Sequence, residues 1–125
     1  MSATFNELYT RLLKDVFRDL AQEQLAQGAD AMACADAYAE QGKPDFALAH
    51  LLLMDVADDV KRDIFARAYE QRAAISEQKA QQMSARFHRS FPMITLEAQK
   101  DRTTAQKIRQ GQRIRKDGAK ILPMN

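Results

Sequence analysis

The chain has 125 residues, a single cysteine and a formal net charge of +2. A chain of this length fits one domain and can bury roughly two thirds of its unfolded surface, so it needs neither a metal nor a disulfide to fold. One cysteine excludes an internal disulfide, and no uncharged apolar run approaches the roughly 20 residues of a membrane span. Glycine and proline are scarce, and no segment alternates apolar with polar residues, so the composition predicts an all-α protein.

Charge is distributed unevenly along the chain. Residues 99–125 carry eight Lys or Arg and two Asp, a net charge of +6. Residues 1–98 carry eleven basic and fifteen acidic side chains, a net charge of −4. An acidic body joined to a basic segment indicates electrostatic attraction to a partner and says nothing about the fold.

The N-terminal sequence predicts one long amphipathic helix. Thr4 and Glu7 have the spacing of a capping box, in which each residue satisfies a free backbone N–H group of the first turn. Apolar residues then recur at steps of three and four as far as Leu25. We therefore predict a helix over residues 4–27.

A short helical hairpin is predicted next. An alanine-rich segment predicts a helix over 30–41, and Gly42 supplies the left-handed residue that ends it. Proline then opens a third predicted helix over 44–56, which is apolar on nearly every side. We expect residues 51–54 to be buried against helices one and four, so Leu52→Asp is predicted to unfold the domain.

A fourth helix is predicted over residues 59–89, because no glycine or proline interrupts this stretch. It would be about 45 Å long, and its far half would extend beyond the two short helices. Mostly small residues recur along it every seven positions, which predicts packing on helix one or self-association with another chain. The residues of this predicted seam are Tyr69, Ala73, Ala80, Met83 and Phe87.

The remaining residues form a basic C-terminal arm. Residues 90–95 are predicted to be an apolar connector, and residues 96–125 have so few apolar positions that any helix there should be marginal on its own. The predicted architecture is thus a four-helix core, with two long helices around a short hairpin. It divides into a helical domain, 1–95, and the arm, 96–125. Deletion of 99–125 is expected to leave the fold intact.

One segment resembles a known family. Tyr38, Gly42 and Ala47 have the spacing of the aromatic, turn-glycine and small residues of a tetratricopeptide repeat. Residues 28–61 therefore resemble one tetratricopeptide-like helical hairpin, although no second copy follows one period later. The resemblance implies peptide or protein binding on a helical scaffold.

No pattern in the sequence predicts catalysis, a cofactor or a metal. Four aspartates between residues 55 and 63 could attract a divalent cation, but aspartates at a helix start more often cap it. His50 is predicted to be a packed, hydrogen-bonded histidine, and Cys34 an inert thiol without a basic neighbour to activate it. The aspartates are Asp55, Asp58, Asp59 and Asp63.

The arm is the remaining functional signal. Its cations predict binding to an acidic protein or, alternatively, to a nucleic-acid backbone, and an ordinary solvated tail is the third interpretation. The arm contains no aromatic residue, so stacking on bases is not expected from it. The predicted partner- or phosphate-binding residues are Arg102, Lys107, Arg109, Arg113, Arg115, Lys116 and Lys120.

The sequence thus favours a non-catalytic interaction module, such as an adaptor, a chaperone-like protein or an assembly subunit. A helical protein associated with nucleic acid is the alternative. Because the first residues lack the basic and apolar runs of a secretory signal, we expect a cytoplasmic location.

Overall fold

The structure, a computed structural model, describes residues 3–115. Over this range the chain forms only helices, turns and loops, which confirms the all-α class. No helix in the same range combines the length and apolar composition needed to cross a membrane. The α-helices are α1 (Phe5–Tyr9), α2 (Asp15–Ala26), α3 (Ala31–Glu40), α4 (Pro44–Leu51), α5 (Asp58–Phe87) and α6 (Pro92–Arg109).

The N-terminal helix is broken, so the prediction of one helix over 4–27 was wrong. The capping box between Thr4 and Glu7 forms as predicted, but α1 passes into a 3₁₀ turn and then into extended backbone at Leu13. The hydroxyl of Thr10 donates to the Asn6 carbonyl at 2.6 Å. The break is required by packing, because α1 packs against α5 whereas α2 packs against α4. One straight helix could not follow both surfaces.

Polar side chains fix α1 to the region around the start of α5. The Phe5 backbone N–H donates to Asp58 Oδ2 at 3.0 Å, so this aspartate accepts a hydrogen bond from the first turn of α1, a helix distant from it in sequence. Buried Lys61 donates from Nζ to Asn6 Oδ1 at 3.0 Å. The Asn6 amide in turn donates to the Leu52 carbonyl at 3.2 Å.

Aromatic rings fill the core between α1 and α5. The rings of Phe5, Tyr9 and Phe65 pack edge to face, with centroids 4.9 to 5.7 Å apart. Leu51 is fully buried, but Leu53 is 44% exposed because α4 ends at Leu51. The predicted helix over 44–56 was therefore too long, and only part of the 51–54 cluster belongs to the core.

The α3–α4 hairpin turns at Gly42, which has a φ angle of +69°. A Cβ atom at this position would lie 2.9 Å from the backbone N and Cα atoms of Arg72 on α5. Glycine is therefore required at position 42 for two reasons: the left-handed conformation of the backbone and the close approach of the turn to α5. This contact positions the hairpin on the long helix.

The basic arm is not separate from the folded body. Helix α6 begins at Pro92, inside the predicted connector, and the proposed boundary between residues 95 and 96 lies within it. Ala98, Ala105 and Ile108 are fully buried, and α6 packs on α5 more extensively than any other pair of helices. The expectation that the arm adds little to the core was wrong. Small residues conceal this face in the sequence, since alanine contributes little to an apolar pattern.

Candidate functional site

Ion pairs connect one edge of α5 to α6. Asp63, Glu70 and Glu77 stand seven residues apart on α5 and therefore lie along one face of that helix. Arg109 on α6 donates to Asp63 at 2.7 Å and to Glu70 at 2.8 Å, and Arg102 pairs with Glu77. The two arginines are also seven residues apart, so two cations on α6 meet three carboxylates with the same spacing on α5.

These pairs change the acid–base properties of their members. The hydrogen bond from Arg109 is the main reason that the pKa of Asp63 is lowered. The hydrogen bond that Arg102 donates to Glu77 raises the pKa of Arg102, and those that Arg109 donates to Glu70 and Asp63 raise the pKa of Arg109. Both arginines remain charged at every physiological pH, and their charge is compensated by carboxylates of the same chain.

A buried ion pair joins the same two helices nearer their centre. Arg72 donates from Nε and Nη2 to the two carboxylate oxygens of Asp101, at 2.9 and 2.8 Å. Asp101 is only 5% exposed, and the Arg72 guanidinium also lies 5.0 Å from the centre of the Tyr69 ring. Sequence reasoning missed this pair. The signal was available in the spacing, because Asp101 shares a helix face with Ala98 and Ala105.

Beyond α6, residues 110–115 cross the N-terminal turn. Gly111 ends the helix with a φ angle of +71°, and the Gln112 N–H donates to the Lys107 carbonyl at 2.9 Å. The Tyr9 hydroxyl donates to the Gln112 carbonyl at 2.6 Å. Arg11 donates to the carbonyl of buried Ile114 at 2.7 Å. The two ends of the described chain are thereby held together.

Three cations of the arm lie in this segment or in the last turn of α6 before it. Lys107, Arg113 and Arg115 are exposed, and within residues 3–115 none of them has an ion-pair partner. Arg11 and Arg62 lie close enough to Tyr9 to oppose the rise in pKa that burial causes in its hydroxyl. We call the surface formed by Arg11, Arg62, Lys107, Arg113 and Arg115 the basic end. Lys116 and Lys120 lie outside the described residues.

The predicted self-association seam is largely covered by the chain itself. Tyr69, Ala73 and Ala80 are buried, and α6 packs on this helix. Met83 is partly buried and Phe87 is 55% exposed, so the seam residues that remain uncovered lie in the last turns of α5. Self-association through these residues stays a prediction.

The other candidate residues have structural partners. His50 is 1% exposed, and its Nδ1 atom lies 2.9 Å from the Phe46 carbonyl oxygen. Of the aspartates, Asp58 accepts from the start of α1, and Asp63 accepts from Arg109. In the described part of the chain, no three acidic, histidine or cysteine side chains are grouped so that they could hold a metal ion. Cys34 is partly buried and unbridged.

The chain matches no protein-family model, no curated protein and no solved structure. Its function is therefore inferred from charge, exposure and contacts alone. Among the residues described, the basic end is where the predicted binding residues are both exposed and uncompensated.

Proposed function

We propose that the protein is a non-catalytic helical interaction module that engages an acidic segment of a partner protein through its basic end. The observation that carries this proposal is the division of the cations of the arm into two groups. Arg102 and Arg109 are compensated by carboxylates on α5, whereas Lys107, Arg113 and Arg115 are not paired within residues 3–115. A partner of opposite charge gains favourable electrostatic energy when it covers cations that are not already paired.

The basic end also has a fixed shape. Its backbone is held by the hydrogen bonds that Tyr9 and Arg11 donate to the carbonyls of Gln112 and Ile114. A surface that is already ordered loses less conformational entropy on binding than a free tail does. This supports recognition of a defined partner over an ordinary solvated tail.

An acidic protein segment suits this surface better than a nucleic-acid backbone. Asp58 and Asp59 stand four and three residues before Arg62 on α5, so they lie one helical turn from it. These carboxylates would interrupt a continuous phosphate track, which needs several adjacent cations. The one aromatic side chain at the crossing, Tyr9, is fully buried and cannot stack on a base.

The test compares two triple variants with the same change in charge. Lys107→Gln, Arg113→Gln, Arg115→Gln neutralises the basic end, and Lys14→Gln, Lys43→Gln, Lys79→Gln removes three exposed lysines elsewhere. Binding is measured by fluorescence anisotropy with a labelled peptide of about twenty glutamates and, separately, with a DNA duplex of about twenty base pairs. We expect salt-dependent binding of the peptide that weakens at least about tenfold in the first variant and less than about twofold in the second.

Two outcomes would contradict the proposal. Equal loss in both variants would show that net charge, and not the basic end, attracts the peptide. Tighter binding to the duplex than to the peptide, with a loss confined to the first variant, would instead support the nucleic-acid alternative.

A further inference from the structure

The tip of the α5–α6 hairpin carries a second surface whose chemistry differs from that of the basic end. There the last turns of α5, the connecting loop and the first turns of α6 enclose an open groove of about 1030 Å³. The groove is lined by five apolar residues, five uncharged polar residues and Glu77. The apolar lining residues are Ala80, Phe91, Pro92, Met93 and Leu96.

Large apolar side chains around this groove remain uncovered. Met93 is 66% exposed, Phe87 is 55% exposed and Leu96 is 43% exposed. Phe87 and Phe91 pack edge to face, with centroids 6.3 Å apart, and together form an aromatic wall beside the groove. Exposed apolar side chains grouped around a concave surface are typical of a site that binds another chain.

The formal charge between Glu77 and Glu97 is all positive. No Asp or Glu occurs between Glu77 and Glu97, whereas Lys79, Arg86 and Arg89 lie in that interval. The two arginines lie over the aromatic wall, Arg86 at 5.5 Å from the Phe87 ring and Arg89 at 5.1 Å from the Phe91 ring. Neither has an ion-pair partner over the described range, and Glu77 itself is paired with Arg102.

We infer that the hairpin tip binds a short peptide segment of a partner protein in which large apolar side chains stand beside carboxylates. The apolar side chains would enter the groove, and the carboxylates would meet Arg86 and Arg89. This site is separate from the basic end, because Leu96 of the groove and Lys107 of the basic end stand eleven residues apart on α6, about 16 Å at 1.5 Å per residue. The inference stands independently of the proposed function.

Two other occupants fit the tip less well. A symmetric contact between two copies of this chain would bring together two patches that both carry Arg86 and Arg89, and like-charged patches repel. A membrane surface would have to cover the polar lining, which includes Gln81, Ser84 and Gln99, and burial of such groups without hydrogen-bond partners is costly. A peptide backbone can instead satisfy these groups while its side chains fill the groove.

The test selects peptides without assuming a partner. A displayed library of random peptides about twelve residues long is selected on the full chain and counter-selected on the double variant Met93→Ser, Leu96→Ser. Both substituted side chains are exposed, so this variant should fold, which circular dichroism verifies. We expect enriched peptides that combine Leu, Ile or Phe with Asp or Glu.

The affinities of the enriched peptides for further variants then separate the contribution of the apolar groove from that of the two arginines. The double serine variant should bind them at least about tenfold more weakly, and Arg86→Gln with Arg89→Gln should weaken binding several-fold and reduce its salt dependence. Val16→Ser is the matched control, because Val16 is as exposed as Met93 but lies on α2. This control and the triple variant of the basic end should bind as the unaltered protein does.

Several results would overturn the inference. It fails if no peptide is enriched over the counter-selecting variant, or if the enriched peptides are basic. It also fails if Met93→Ser abolishes a dimer seen by sedimentation, which would assign the tip to a second copy. Loss of binding to phosphatidylserine vesicles in the same variant would assign the tip to a membrane surface.

Discussion

The two helical hairpins of this molecule are held by different interactions. The α3–α4 hairpin depends on close packing: Gly42 contacts the backbone of α5, and the rings of Tyr38 and Phe46 stack with centroids 5.1 Å apart. The α5–α6 hairpin depends on small residues at its seam and on ion pairs that include the buried contact between Arg72 and Asp101.

This difference is reflected in which charges remain uncompensated on each hairpin. In the α3–α4 hairpin the rings of Tyr38 and Phe46 contact each other. Along the α5–α6 hairpin Arg72, Arg102 and Arg109 are paired with carboxylates, whereas Lys107 near one end and Arg86 near the other have no ion pair within residues 3–115. In this chain those ends are the basic end and the hairpin tip.

The largest expected effect comes from removing most of α6. Deletion of residues 99–125 takes Ala105, Ile108 and Ile114 from the core and leaves Arg72 without Asp101. We expect loss of a cooperative thermal transition by circular dichroism, because a domain this small tolerates little loss of core. Deletion of 116–125 removes none of these contacts and serves as the control. A cooperative transition in the 1–98 chain would show that the α3–α4 hairpin folds without α6.

Gly42→Ala tests the packing on which the α3–α4 hairpin depends. The left-handed conformation should cost about 1–2 kcal/mol, and the clash with the Arg72 backbone should add about 1–3 kcal/mol. Gly111→Ala is the matched control, since its φ angle of +71° is similar and nothing lies within 4 Å of the added Cβ. Urea denaturation should therefore show a clearly larger loss for Gly42→Ala. Equal losses would mean that the turn does not press on α5.

Arg72→Ala tests the buried ion pair of the α5–α6 hairpin. It leaves the Asp101 carboxylate buried without a cation, and we expect a loss of about 3 kcal/mol in the free energy of unfolding. Asp101→Ala should cost less, because the Arg72 side chain is 31% exposed and can be hydrated. The double variant should be more stable than the sum of the two losses predicts, as urea denaturation of all four proteins would show. Additive losses would mean that the two side chains act independently.

The smallest effect is expected at the exposed edge of the same hairpin. Because the folded pKa of Asp63 is lowered, its stabilising contribution is present above the unfolded pKa of about 3.9 and is lost as the pH falls through the folded value. Asp63→Asn should cost no more than about 1 kcal/mol at pH 7, since an exposed pair is screened by solvent. It should also flatten the loss of stability below about pH 4.

Asp19→Asn provides the comparison for that measurement, because Asp19 is exposed and has no ion pair in the described part of the chain. Thermal unfolding at a series of pH values compares the two variants. If both have the same acid dependence, the edge of the α5–α6 hairpin contributes nothing specific to stability.

Several elements were predictable because their signals are local. Thr4 and Glu7 form the predicted capping box, and Gly42 adopts the predicted left-handed conformation at the turn of the α3–α4 hairpin. Helix α5 also begins and ends within two residues of the prediction. Capping, left-handed turns and uninterrupted helical sequence depend on residues only a few positions apart, so a sequence determines them directly.

Tertiary packing alone decided the rest. The break after α1 exists because α1 and α2 pack on different helices, which no residue near Leu13 indicates. The partners of Arg102 and Arg109 lie 25 to 46 residues away along the chain. The sequence therefore predicted that these two charges were free to bind a partner, whereas in the fold carboxylates of α5 compensate them. By itself the sequence determined the sign and number of the charges. Only the folded arrangement of α5 and α6 decided which of them are neutralised, because an ion pair depends on distance in space.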